Sequence, residues 1–149
     1  MLFVAVCDDL PSDRLQIQSL IYDFCDRNNY EIHLLTFENG KDLVNYYQNQ
    51  ETFFDIIFLD IYMNGKTGIQ AAKQIRKYDL NCKIIFITSS TTDALESFEV
   101  FPYNYITKPL SKSTFFISLT SLYKLINFSY IGTTCFACVR CNIISAISI

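Results

Sequence analysis

Phe53-Phe54-Asp55-Ile56-Ile57-Phe58-Leu59-Asp60-Ile61-Tyr62-Met63-Asn64-Gly65 is an almost unbroken apolar run that stops on an acid and passes at once into a Gly-containing loop. Ile56 to Leu59 have the length and residue types of a strand buried on both faces, as in a parallel sheet. Asp60 then falls at that strand's carboxyl end, the edge at which open α/β sheets bind ligands. A carboxylate there needs a partner or a chemical role.

Outward from this stretch, strands and helices alternate. Leu2 to Cys7 is a first apolar run, ending on Asp8 and Asp9. After Pro11, with Ser12 placed to cap, Ile17, Leu20, Ile21 and Phe24 form a helical stripe. Ile32 to Phe37 reads as a second strand, its polar neighbours Glu31 and His33 marking it as near an edge. Asn39 to Asp42 would cap a short helix carrying Leu43, Val44 and Tyr47. Beyond Asp60, Gly68 to Tyr78 reads as a helix with Ile69, Ala72 and Ile75 inward and Lys73, Arg76 and Lys77 outward. Lys83 to Thr88 is a fourth strand. Ala94, Leu95 and Phe98 mark a short fourth helix, and Tyr103 to Thr107 a fifth strand leading into Lys108-Pro109. Ser111 is placed to cap a last helix bearing Phe115, Leu119, Leu122 and Ile126.

This alternation predicts an α/β fold, a doubly wound parallel sheet of five strands with helices on both faces. The flavodoxin-like order 2-1-3-4-5 puts the ligand crevice between the first and third strands. Asp8, Asp9 and Asp60 meet there. Three carboxylates at neighbouring strand ends repel one another, and hard oxygen donors in this number suit Mg²⁺ or Mn²⁺. Singly, each acid reads as a helix or loop cap. Thr88 and Lys108 end the next two strands on the same edge, where a hydroxyl and an ammonium would hold an anion such as a phosphoryl group.

Asp8-Asp9, Asp60, Thr88 and Lys108-Pro109, in that order and spacing, resemble the receiver domain of two-component response regulators, over about Leu2 to Asn127. The resemblance implies a CheY-like fold in which Asp60 takes a phosphoryl group from a sensor histidine kinase. It implies Mg²⁺ held by Asp9, Asp60 and the Tyr62 backbone carbonyl, with Asp8 acting through water. Thr88 and Lys108 would hold phosphoryl oxygens, and Tyr105 would be the aromatic switch residue. The fourth helix, fifth strand and last helix would carry the readout, by homodimerisation or by binding a partner. Such a domain is a phosphoacceptor, with self-catalysed phosphorylation and dephosphorylation, and not an enzyme in the usual sense. Gly68 fits the family's glycine, but Met63-Asn64 stands where many receivers have Met-Pro, and Tyr62 and Ser90 occupy positions that tune hydrolysis in the family. Gly68-Ile69-Gln70-Ala71-Ala72 and Ala94 to Val100 resemble regulators with a LytTR-type DNA-binding output domain, which implies a role in transcription.

Composition sets the remaining expectations. A chain of 149 residues, half of them apolar, supports one sizeable core. A net charge of −3 gives no footprint for nucleic acid, so no DNA binding is expected of this fragment. Met1 to Val6 reaches Asp8 too soon for a secretory signal, which points to the cytoplasm, where Cys7, Cys25 and Cys82 would be free thiols in core-like segments. The receiver is expected over 1–127. Residues 128–149, with Cys135, Cys138, Cys141 and a lone charge at Arg140, read as an altered or truncated linker and not as a membrane span. A Mg²⁺-dependent phosphatase or phosphotransferase of the haloacid-dehalogenase type needs a second Asp two residues after the first; Tyr62 stands there. A flavodoxin-like FMN site lacks its phosphate loop. A receiver-like interaction module that is never phosphorylated would not need the full acidic set.

Overall fold

In a computed structural model the chain is described over residues 1–49, 54–64, 67–89 and 98–131. Five strands, β1 (Leu2–Cys7), β2 (Ile32–Phe37), β3 (Ile56–Asp60), β4 (Lys83–Thr88) and β5 (Asn104–Thr107), form one sheet in the order β2-β1-β3-β4-β5. Every pairing is parallel. The helices are α1 (Pro11–Asn28), α2 (Gly40–Asn49), α3 (Gly68–Ile75) and α4 (Lys112–Ile131), with a short 3₁₀ turn at Phe98–Val100. The expected helix around Ala94 and Leu95, Ser90, Gly65 and the segment from 132 onward lie outside the described residues.

Alternation of side chains along each strand splits the core in two. Ile57 and Leu59 of β3 face one cluster, with Ala5, Cys7, Ile84 and Phe86, under Leu43, Val44 and Tyr47 of α2 and Ile69, Ala72 and Ile75 of α3. Ile56 and Phe58 face the other, with Val4, Val6, Ile85 and Ile87, under Ile17, Ile21 and Phe24 of α1 and Phe115, Leu119 and Leu122 of α4. Covering both faces explains why β3 reads as a continuous apolar run. His33 is exposed on β2, one of the two edge strands, as the polar residues there predict.

Three local expectations need correction or refinement. Ser12 does not cap α1: Leu10 holds the cap position, Pro11 begins the helix, and the Ser12 hydroxyl bonds Asp13. The free amide of Leu10 donates to Asp8 Oδ1 instead, at 2.9 Å. α3 ends at Ile75, and the chain turns through Tyr78 without continuing the helix. Arg76 is not an outward charge. Its guanidinium donates to the carbonyls of Val100 (2.7 Å), Asp79 (3.1 Å) and Cys82 (2.9 Å), clasping the end of α3 to the turn that precedes β5. Five fixed donors make arginine the residue for such a cluster of carbonyls. At α2 the Asn39 cap is present, its Oδ1 accepting the Asp42 amide at 2.9 Å.

Candidate functional site

The register aligns the strand ends. Cys7 pairs with Leu59, Asp60 with Ile87, and Thr88 with Thr107, so Asp8, Asp60, Thr88 and Lys108 reach the same edge of the sheet. Asp8 is fully buried and Asp60 nearly so. One carboxylate oxygen from each of Asp8, Asp9 and Asp60 lies within 4.8 Å of the others. Lys108 Nζ comes in from beyond β5 to Asp8 Oδ2 (2.9 Å), Asp60 Oδ2 (3.2 Å) and Asp13 Oδ2 (2.7 Å). Its backbone amide donates to the Thr88 carbonyl at 2.8 Å, and the Lys108–Pro109 peptide is cis.

Asp60 and Asp9 accept further donors. Asp60 Oδ1 accepts the Tyr62 amide at 3.3 Å. Asp9 Oδ2 accepts two donors from Asn64, the backbone amide at 3.1 Å and the side-chain Nδ2 at 2.9 Å. Arg14 fixes the β1 end by donating to the Asp8 carbonyl at 2.6 Å while pairing with Glu38 at 2.9 Å. Gly68 packs against Asp60 itself: a Cβ built on it would sit 1.9 Å from the Asp60 carbonyl oxygen.

The charges are set by competition between burial and pairing. Burial pushes the Asp60 carboxyl above its ordinary range; Lys108 opposes this and Asp8 adds to it. Burial alone would lower Lys108, but its bonds to Asp13 and Asp8, with the Asp60 charge beside it, hold the ammonium well above the usual lysine value. Lys108 in turn holds Asp13 low. Directly beneath, burial and the neighbouring acids Asp8 and Asp60 push the Cys7 thiol up to about 12, and its Sγ lies 3.6 Å from Met63 Sδ. It is a packed thiol and not a nucleophile.

Of the residues singled out from sequence, Asp8, Asp9, Asp60 and Lys108 therefore converge in one cluster. Thr88 is buried at the adjacent strand end. Tyr105 stacks on Phe86 at 5.5 Å, and its hydroxyl is buried with no hydrogen-bond partner among the described residues. The side chain of Tyr62 is half-exposed beside the site. Asp13, Asn64 and Arg14 were not foreseen. An acid in a first helical turn satisfies the helix dipole by itself, so nothing in the sequence around Asp13 pointed across the fold to Lys108. Three carboxylates converging from two strand ends, with one oxygen each within reach of a common point, are a donor set that fits a hard divalent cation.

The sequence model of the response regulator receiver domain matches residues 4–119. This chain belongs to the response regulator receiver family. Its receiver is 34% identical to the sensory transduction protein LytT of Oceanobacillus iheyensis over 117 residues, 77% of this chain and 46% of that protein. It is 29% identical to LytT of Bacillus subtilis over 133 residues, 89% of this chain and 52% of that protein. The chain thus spans about half the length of the curated relatives it matches. Among solved structures it resembles the response regulatory domain of MrkE from Klebsiella pneumoniae, with a TM-score of 0.74 at 25% identity, covering 85% of this chain and 99% of that one. The REC domain of AraT from Geobacillus stearothermophilus shares the fold, with a TM-score of 0.73 over 87% of this chain and 98% of that one at 21% identity. Receiver domains are phosphorylated by sensor histidine kinases and are generally not enzymes. Among the described residues, no helix is long and apolar enough to cross a membrane.

Proposed function

We propose that Asp60 is the phosphoacceptor of this receiver, and that Asp8, Asp9 and the Tyr62 backbone carbonyl join it in holding Mg²⁺, or Mn²⁺ in its place. The observation that carries this is the meeting of three carboxylates within 4.8 Å under a lysine that reaches two of them. An Asp60 oxygen attacks the phosphorus of a kinase phosphohistidine. The P–N bond breaks, and its electron pair leaves with the imidazole, which takes up a proton. Bound Mg²⁺ would neutralise charge on the phosphoryl oxygens. Lys108, kept cationic by its carboxylate partners, would turn to the phosphoryl group, and the Thr88 hydroxyl would hold another of its oxygens. Because Asp60 Oδ1 is bonded by the Tyr62 amide and its backbone is backed by Gly68, Oδ2, which pairs with Lys108, is held at the strand end and not swept by rotation.

The acyl phosphate adds a charge of about −1.5 to −2 where only a carboxylate stood. Thr88 moving toward it would vacate space for Tyr105, whose buried hydroxyl lacks a partner in the present state. The face of β5 and α4 would then change packing, together with the fourth helix that the sequence predicts, and with it dimerisation or partner binding. The reading places the protein in the cytoplasm, as a receiver that controls transcription through a LytTR-type output domain in a longer chain; this fragment would not itself bind DNA. The receiver would occupy 1–127, with 128–149 an atypical linker segment.

Acetyl phosphate with Mg²⁺, or a beryllofluoride mimic, tests the site. The wild type should gain one phosphoryl group by intact mass, or a beryllofluoride-dependent shift, and Asp60→Asn should show neither. A wild type that responds to neither reagent would sink this reading, and modification persisting in Asp60→Asn would move the acceptor elsewhere.

A further inference from the structure

Lys108 gathers Asp8, Asp13 and Asp60 but makes no ion pair with Asp9. Asp9 is half-buried at the mouth of the crevice and receives no other donor among the described residues than Asn64. Both donors of that residue, its backbone amide and its side-chain amide, converge on a single oxygen, Oδ2. Such a two-point contact fixes the carboxylate's rotation and leaves Oδ1 without a protein donor. A small hard cation takes one oxygen from each carboxylate and tolerates little error in its position. A hydrogen-bonded second oxygen is the usual device for aiming such a ligand. Asn64 stands 55 positions along the chain from Asp9, on the loop that also carries the Asp60 strand end toward α3. It thereby ties the β1 ligand to the β3 ligand.

We infer that Asn64 is a positioning residue for the divalent cation, holding Asp9 so that its free oxygen faces Asp8 and Asp60. The inference rests on the proposed cation site. It explains what this loop does with an asparagine at a position where proline, with neither amide donor, would leave Asp9 to rotate. Titration with Mn²⁺, followed by the electron paramagnetic resonance of the free ion, tests it on the whole chain. Asn64→Ala keeps the backbone donor and should weaken Mn²⁺ about tenfold, the lower edge of what outer-shell partners cost. Asn64→Pro removes both donors and should weaken it further. Asn64→Ser, which retains a short side-chain donor, should recover most of the affinity. The rise in thermal midpoint that Mn²⁺ brings should be smaller in Asn64→Ala than in the wild type, whereas a merely structural role would lower the cation-free midpoint and leave that rise unchanged. Mn²⁺ affinity that is unchanged or tighter in both Asn64→Ala and Asn64→Pro overturns the inference while leaving the cation site standing. A wild type that binds no Mn²⁺ overturns both.

Discussion

Gly68 is the residue whose smallest enlargement should do the most damage. It begins α3 with an ordinary helical backbone, so local propensity alone favours alanine there by about 1 kcal/mol. The packing says the opposite. A methyl group at Gly68 would lie 1.9 Å from the Asp60 carbonyl oxygen, 2.8 Å from its carbon and 3.0 Å from Ile61 Cα. All three are backbone atoms, so no rotamer relieves the clash, and α3 or the β3 end must retreat by about 1 Å or more in a close-packed interior. That shift also stretches the Gly68 amide bond to the Ile61 carbonyl, now 3.0 Å. Overpacking at about 1–3 kcal/mol and a strained hydrogen bond at about 1 kcal/mol outweigh the propensity gain. Gly68→Ala should therefore lose roughly 1–3 kcal/mol in urea denaturation, a drop of roughly 4–12 °C in thermal midpoint for a domain of this size. Because the displaced atoms belong to Asp60, modification by acetyl phosphate should fall more than the folded fraction does. A Gly68→Ala protein as stable as wild type, or more so, would refute the close approach.

The remaining expectations concern charge and clasp. Asp60 holds its proton more tightly in the fold than in the unfolded chain, so ionising it costs stability as pH rises past the ordinary aspartate value of 3.8; Asp60→Asn should raise the neutral-pH thermal midpoint, and the gain should vanish near that value. Lys108 is shifted in the same direction, by pairing where Asp60 is shifted by burial: its contribution is full below the ordinary lysine value of 10.5 and fades as pH climbs through the higher folded value. The stability gap between wild type and Lys108→Met, about 2–4 kcal/mol at neutral pH, should therefore shrink only in strong alkali, and a gap that closes between pH 6 and 9 would contradict the triple pairing. Arg76→Ala should cost about 2–4 kcal/mol in urea denaturation, against less than about 0.5 kcal/mol for exposed Lys77→Ala. Tyr62, two residues beyond Asp60, is bulky and half-exposed, so if it limits the access of water Tyr62→Ala should shorten the acyl-phosphate half-life; an unchanged half-life would end that assignment.

The three central strands, β1, β3 and β4, were legible because each is apolar through its length but for end residues, and that pattern has one meaning when both faces of a sheet are covered. Asp8, Asp60 and Lys108 were legible because topology sends strand ends to a common edge, so their chain positions already implied proximity. What escaped was decided by direction. Arg76 has the outward phase of an ideal helix, but the helix stops at Ile75, and the side chain turns to carbonyls that no sequence pattern announces. Ser12 looked like a cap because the sequence marks candidates without saying which amide is left over; here Asp8 takes it. Asn64 showed itself only as a departure from Met-Pro, and its donors acquired a purpose once Asp9 was found opposite them.

Lys108 and Asp8 stand 100 residues apart in the chain, and the lysine is the cation that offsets both buried acids. Loop closure over that distance carries an entropy cost that a pair close in the chain escapes. During synthesis the acids of β1 and β3 emerge well before their counterion, so a nascent chain carries a cluster of uncompensated negative charge until residue 108 clears the ribosome. Completion of the site therefore waits on β5: a truncated product ending before that strand would retain Asp60 and lack the charge that offsets its burial.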